Sequence, residues 1–187
     1  MCIRDRARTI AESSEYAYTV SDDALWTGMY GANRASVQLP CGTAFTVEQE
    51  TAYPYDGTIR FTFSDIRGGD FQLKLRIPGW AEKGHIICGD TKLELTREQA
   101  GSYQPVSVSG DHASVELYLD MPSRYTVSHA LVEENTCQAA VERGPLVYCI
   151  ENPDSELDTL DDLILDPTET FHPVPMQIEG RDMMALE

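Results

Sequence analysis

Positive charge is scarce in this sequence: 14 Lys and Arg stand against 31 Asp and Glu over 187 residues, a net charge of −17. Phosphate binding needs clustered Lys and Arg, so nucleic acid is excluded as a partner class, and an anionic membrane surface with it. The surplus of carboxylates reads as solubility. No apolar run reaches the ~18–20 residues of a membrane helix. The first residues lack the apolar stretch of a signal peptide. The five cysteines (Cys2, Cys41, Cys88, Cys137 and Cys149) include no C-x-x-C pair, which argues against a zinc site built from this chain alone. An odd set of thiols suits a reducing, cytoplasmic compartment better than a disulfide scaffold. There is no phosphate-cradling loop, because Gly68-Gly69 lacks the following helix and the lysine. Internal repeats and low-complexity tracts are also missing.

What is present is a pattern of short strands. Apolar residues make up 42% and charged residues 24%, the balance of a soluble folded protein. The length allows one ordinary domain and part of another. Ala7 to Tyr18 reads as a short helix, with Ala7, Ile10, Ala11 and Ser14 on one side, and Ser21-Asp22-Asp23 as a turn. Strands are predicted over Ala24 to Tyr30, Ser36 to Leu39 and Phe45 to Thr51. Ile59, Phe61 and Phe63 alternate with Thr58, Arg60 and Thr62. Phe71, Leu73, Leu75 and Ile77 repeat this against Gln72, Lys74 and Arg76, and Val115, Leu117, Leu119 and Met121 against Glu116, Tyr118 and Asp120. Val106 and Val108 give a shorter case. Period two puts each apolar set on one face. Turn residues separate the strands at Pro54-Tyr55-Asp56-Gly57, Gly68-Gly69, Pro78-Gly79, Gly89-Asp90 and Gly110-Asp111. The expected fold is mainly β, an antiparallel sandwich. Beyond Met121-Pro122, Ala139 to Ile150 is either two short strands or one bent strand. Glu151 to Asp166 is either an amphipathic helix or a solvated acidic loop. The Pro-rich end (Pro167, Pro173, Pro175) shows no closing element, so the second β domain is expected to be incomplete.

Residues able to carry chemistry are few. Sugar hydrolysis of the usual kind needs two carboxylates, and Glu48 and Glu50 sit two apart on a predicted strand and share a face. The reading taken is a solvent-facing strand edge, the alternative a sugar-lining surface with Gln49 and Tyr53. The four histidines, His85, His112, His129 and His172, each stand apart from any Ser or Cys elbow and read as surface residues. Cys41, Cys88, Cys137 and Cys149 read as small core side chains rather than activated thiolates. Tyr53, Tyr55 and Trp80 flank turns, where they either cap the core or stack on sugar rings.

Three stretches carry a resemblance. Val47-Glu48-Gln49-Glu50-Thr51-Ala52-Tyr53-Pro54-Tyr55-Asp56-Gly57 resembles the V-E-Q-x3-[FY]-P-[WY]-D-G segment of glycoside hydrolase family 127. Leu75-Arg76-Ile77-Pro78-Gly79-Trp80-Ala81 is similar to that family's L-R-I-P-G-W-[AS], and Val141 to Cys149 to its R-G-P-L-V-Y-C stretch. They occur in the family's order, and the resemblance covers Ala7 to about Glu151. It implies an N-terminal (α/α)6 barrel followed by β-sandwich domains, and retaining release of β-L-arabinofuranose. It also implies a zinc-bound cysteine nucleophile with a glutamate acid/base. In the family the nucleophile lies in C-C-P-x-N, directly before an A-R-x-I-A helix, which Ala7-Arg8-Thr9-Ile10-Ala11 resembles. Met1-Cys2-Ile3-Arg4-Asp5-Arg6 stands where C-C-P-x-N belongs and back-translates to the end of a transposase adapter used in sequencing libraries. It is set aside as an artefact, and Cys2 at the second cysteine's place as a coincidence.

The resulting expectation is a bacterial glycosidase fragment: residues 1–6 adapter, 7–23 the end of a helical barrel domain, 24–130 a β-sandwich and 131–187 an incomplete β domain. Catalytic, substrate-binding and metal residues are assigned to none of its positions. Zinc, an arabinose-containing glycan and a homodimer are implied for the full-length enzyme. The alternative is a free-standing sandwich that binds glycan or protein through Tyr53, Tyr55 and Trp80.

Overall fold

The computed structural model describes residues 9–110, 113–150, 164–166, 168–178 and 180–187. The chain divides after Asp120 into two compact units. Where the sequence pattern puts the sandwich's end at Ala130, the first unit closes ten residues earlier.

The first unit opens with helix over residues 9–12 and a 3-10 turn, Ser13–Tyr16. The predicted helix stops there, because Tyr18–Ser21 forms strand β1, paired antiparallel with β2 (Ala24–Thr27). The segment assigned to a helical domain therefore contributes a strand to the sandwich. The other strands are β3 (Asn33–Gln38), β4 (Ala44–Thr51), β5 (Thr58–Arg67), β6 (Phe71–Arg76), β7 (Gly84–Cys88), β8 (Thr91–Leu95), β9 (Tyr103–Val108) and β10 (Ala113–Leu119). Four strands form one sheet in the order β1-β2-β6-β9, and six form the other in the order β3-β4-β5-β10-β7-β8.

Alternation explains the layering. Ile59, Phe61 and Phe63 of β5 are fully buried, as are Leu73 and Leu75 of β6 and Leu117 of β10, while the residues between them are not. The inward sets of both sheets make one core. Phe71 of the four-stranded sheet stacks on Phe45 of the six-stranded sheet, with centroids 4.1 Å apart, and meets Phe63 edge-on at 5.3 Å. Such pairs add about 0.5–1.5 kcal/mol beyond the area they bury.

One pairing departs from the antiparallel expectation: β2 runs parallel to β6, Leu25 opposite Leu73. Thr27 ends that pairing. Its buried hydroxyl donates to the Lys74 carbonyl at 3.2 Å and accepts from the Arg76 N–H at 3.0 Å, replacing a backbone rung.

The second unit holds a three-stranded antiparallel sheet of β11 (Ser123–Val127), β12 (Ala139–Arg143) and β13 (Leu146–Tyr148). Ala139 to Ile150 is thus two strands, with Gly144-Pro145 as the turn between the Arg143–Leu146 pair. The Pro-rich end forms a hairpin of β14 (Pro173–Ile178) and β15 (Arg181–Leu186), where the sequence pattern shows no closing element. Glu151 to Leu163, the larger part of the acidic stretch, lies outside the described residues, as do Cys2 and His112.

Candidate functional site

The three motif stretches are where a site would be sought, and each builds a turn. The first covers β4 and the loop to β5. Along β4, Phe45, Val47 and Gln49 point inward while Glu48 and Glu50 point to solvent. The glutamates oppose Arg34 and Arg60 on the neighbouring strands, a solvated pattern of alternating charge. Gln49 lies on the opposite face, buried, donating from Nε2 to the Gly31 carbonyl at 2.7 Å and accepting from the Tyr18 hydroxyl at 3.4 Å. Glu48, Gln49 and Tyr53 therefore do not line one surface. The double variant Glu48→Gln, Glu50→Gln is expected to shift stability by no more than about 0.5 kcal/mol, as for exposed positions generally. Urea denaturation checks this, and a larger loss would mean these carboxylates hold a partner.

In the loop itself, the Thr51 hydroxyl donates to the Thr58 carbonyl at 2.7 Å and accepts from the Tyr53 N–H at 3.0 Å. Asp56 accepts from the Thr58 N–H at 2.6 Å, the local bond that makes Asp a turn residue. The Tyr53-Pro54 peptide is cis. Tyr53 packs edge-on against Tyr30 at 5.8 Å and against the core, so its ring is a lid on the sandwich. Burial raises its phenol pKa. Tyr30 is also raised by burial, its hydroxyl donating to the Arg76 carbonyl. Burial pushes Tyr18 up to about 12 while its hydroxyl donates to Asn33 Oδ1. All three phenols stay protonated and neutral near pH 7, so they do not act as bases; Tyr18 and Tyr30 use their hydroxyls as hydrogen-bond donors within the fold.

In the second stretch, Ala81 N–H donates to the Pro78 carbonyl at 3.0 Å, closing a turn that sets Ala81 in the core and Trp80 against it. Of the three aromatics offered as sugar contacts, Tyr53 and Trp80 cap the core, and Tyr55 is half-buried in the first loop. In the third stretch, Arg124 of β11 grips Glu142 of β12 with Nε and Nη2 at 3.0 and 2.7 Å, holding that carboxyl below its usual range. This is an exposed cross-strand pair of structural type.

The remaining candidates stay apart. His85 lies on β7 with its ring 5.2 Å from Tyr118, and His129 and His172 are exposed. The cysteines correct the sequence reading in part: Cys41, Cys137 and Cys149 are exposed, while Cys88 is half-buried and packs against the core. The hydrophobicity of a thiol does not fix which face it takes, and three of these four fall in turns or irregular backbone. Among the described residues, no three His, Cys, Asp or Glu side chains converge as metal ligands. The zinc implied by the resemblance therefore finds no fitting donor set in them.

Comparison with known proteins agrees with the three stretches. The profile of the β-L-arabinofuranosidase, GH127 middle domain matches residues 24–121, and that of the glycoside hydrolase family 127 C-terminal domain matches residues 123–181. A non-reducing end β-L-arabinofuranosidase of Bifidobacterium longum subsp. longum is 31% identical over 162 residues, which is 84% of this chain and 24% of that protein. The chain thus spans about a quarter of that relative's length. A solved glycoside hydrolase superposes with a TM-score of 0.91 at 31% identity, over 99% of this chain and 31% of that one. A GH127 β-L-arabinofuranosidase from Geobacillus stearothermophilus T6 gives a TM-score of 0.82 at 30% identity, over 92% and 27%. With the matched middle domain alone spanning more than half its length, this chain belongs to glycoside hydrolase family 127.

Proposed function

We propose that this chain is the accessory β portion of a retaining glycoside hydrolase that releases β-L-arabinofuranose from glycans, and that it holds none of the catalytic machinery. The observation that carries this is the match to the family's middle and C-terminal domains, in a chain covering 24% of the arabinofuranosidase it resembles. The side chains support it: Glu48 and Glu50 face solvent between arginines, and the motif aromatics serve the core. Retaining hydrolysis requires a nucleophile and an acid/base held about 5–5.5 Å apart across the sugar. Glu48 and Glu50, the carboxylates of the first motif, face solvent on β4, which supports reading them outside that role. Zinc binding and homodimerisation of the full-length protein belong to the same proposal, as does a reducing compartment, supported by the exposed thiols of Cys41, Cys137 and Cys149.

The test is direct. Purified 187-residue chain is expected to hydrolyse a nitrophenyl β-L-arabinofuranoside no faster than buffer, with or without added zinc. Turnover above background that survives repurification would overturn the accessory reading.

A further inference from the structure

The first unit distributes its exposed apolar residues unevenly. Among the described residues its exposed large hydrophobics are Ile10, Tyr16, Val20, Met29, Leu93 and Tyr103. Leu93 alone belongs to the six-stranded sheet. The other five lie on the four-stranded sheet or on the segments that enter and leave its β1-β2 hairpin. Ile10 is 74% exposed, Tyr16 60%, Met29 49% and Tyr103 40%.

Charge divides the same way. The strands of the four-stranded sheet contain no Asp or Glu, although the sequence holds 31. Their only charges are Lys74 and Arg76. Leu73 and Leu75 point into the core, so Lys74 and Arg76 alternate to the other face. There the Lys74 ammonium sits 5.7 Å from the centroid of Trp26, and Tyr103 meets Trp26 edge-on at 5.0 Å. Arg76 Nε is buried without a hydrogen-bond partner. The six-stranded sheet, by contrast, neutralises its outer charges internally, with Arg60 on Glu116 at 2.8 Å and Lys92 on Glu94 at 2.7 Å.

The entering segment is fixed to this sheet. The Ala17 carbonyl accepts from the N–H groups of Gly28 and Met29, and the Tyr16 carbonyl oxygen lies where a Cβ on residue 28 would stand. Only glycine permits that approach. The end of the helical segment at Tyr16 is therefore held at the β1 margin, beside Val20 and Met29.

From these observations we infer that the outer face and β1 margin of the four-stranded sheet are the docking surface for the domain that precedes the middle domain in the same polypeptide, and that the surface it meets is acidic and partly apolar. The inference rests on the accessory reading above. The order of domains follows from the family profile, which names residues 24–121 a middle domain. A mixed aromatic and cationic patch also suits an interface between domains of one chain, which buries about 600–1,500 Å² and is more polar than an obligate one. Burial there removes Tyr16, Met29 and Tyr103 from water.

Hydroxyl-radical footprinting on the 187-residue chain and on the full-length gene product tests this. Labelling of Tyr16, Met29 and Tyr103 is expected to fall at least about five-fold in the full-length protein, with Leu93 unchanged, since an interface core excludes water. Equal labelling in both proteins overturns the inference. So does protection already present in the 187-residue chain together with dimeric sedimentation, which would make a second copy the occupant. A gene product with no preceding domain overturns it too. Arabinofuranoside hydrolysis by the same full-length sample separates the two proposals. Activity with the three sites still labelled sinks the docking surface alone, and protected sites without hydrolysis sink the enzymatic reading alone.

Discussion

Phe71→Ala is expected to cost the first unit about 3–5 kcal/mol, the range for emptying a buried aromatic site. The ring is almost fully buried and is the contact between the sheets, stacked on Phe45 and edge-on to Phe63. Its loss removes transfer energy and two aromatic contacts at once. It also leaves a cavity opposite Phe45 and Phe63, both fixed on adjacent strands of the six-stranded sheet, so neither ring can cross to the other sheet and fill it. A domain of this size has only about 5–15 kcal/mol to lose, so the variant is expected to approach unfolding at ambient temperature. Both tryptophans, Trp26 and Trp80, lie in the first unit, so their fluorescence during urea titration reports on this unit alone. The midpoint is expected to fall with the slope unchanged. A loss under about 1 kcal/mol would show that the two sheets do not depend on this contact. Phe71→Leu, which refills much of the volume, is expected to recover a large part of the loss.

Gly57→Ala is expected to be the most damaging change of a single methyl group. Gly57 is buried, and a Cβ there would lie inside the contact radius of the Leu119 carbonyl oxygen. The Leu119 N–H donates to the Gly57 carbonyl at 2.9 Å, so the two backbones are bound as well as close. Overpacking usually costs about 1–3 kcal/mol because a side chain can move aside; here only the end of a central strand can, which puts the cost at about 3 kcal/mol. Gly31→Ala is the control. A Cβ at residue 31 meets nothing within 4 Å. Its cost is expected to stay within about 0.5 kcal/mol. Equal effects at the two positions in urea titrations would refute the close-approach explanation. The Gly of the Pro-Tyr-Asp-Gly motif thus earns its place by contact with β10 as well as by making a turn.

How much was legible in the sequence depended on burial. Strands β5, β6 and β10 have one face in the core and one in water, so residues such as Phe61 and Arg60 alternate visibly. Strand β8 is exposed along Thr91 to Glu94 and buries only Leu95, so it carries no period to read. Strand β1 is an edge strand whose Val20 remains exposed, and it was legible only as the end of a helix. The hairpin of β14 and β15 is hidden by Pro173 and Pro175, which suit edge strands but also suit loops. The parallel pairing of β2 with β6 was out of reach because alternation fixes faces and says nothing of neighbours. At the candidate site, the solvent-facing role of Glu48 and Glu50 was legible from the same period. The exposure of Cys41 was not, since it is set by a loop bond from Cys41 N–H to the Asp22 carbonyl.

The order of strands bears on how this unit can be made. Strand β10, last of the unit in sequence, lies in the interior of the six-stranded sheet, between β5 and β7. Until it arrives, β5 and β7 each present an open row of backbone donors and acceptors. On the other sheet, β2 waits for β6, whose partner residues lie 48 positions later, as Leu25 does for Leu73. Pairings this distant in sequence close slowly. During synthesis, then, the four-stranded sheet waits for β9, ending at Val108, and the six-stranded sheet for β10, ending at Leu119, so the growing chain carries unprotected edges until the last strand has left the ribosome. Stalled or clipped products ending before β10 are for that reason the species most prone to join one another, and any recombinant boundary drawn through this domain should fall after Leu119.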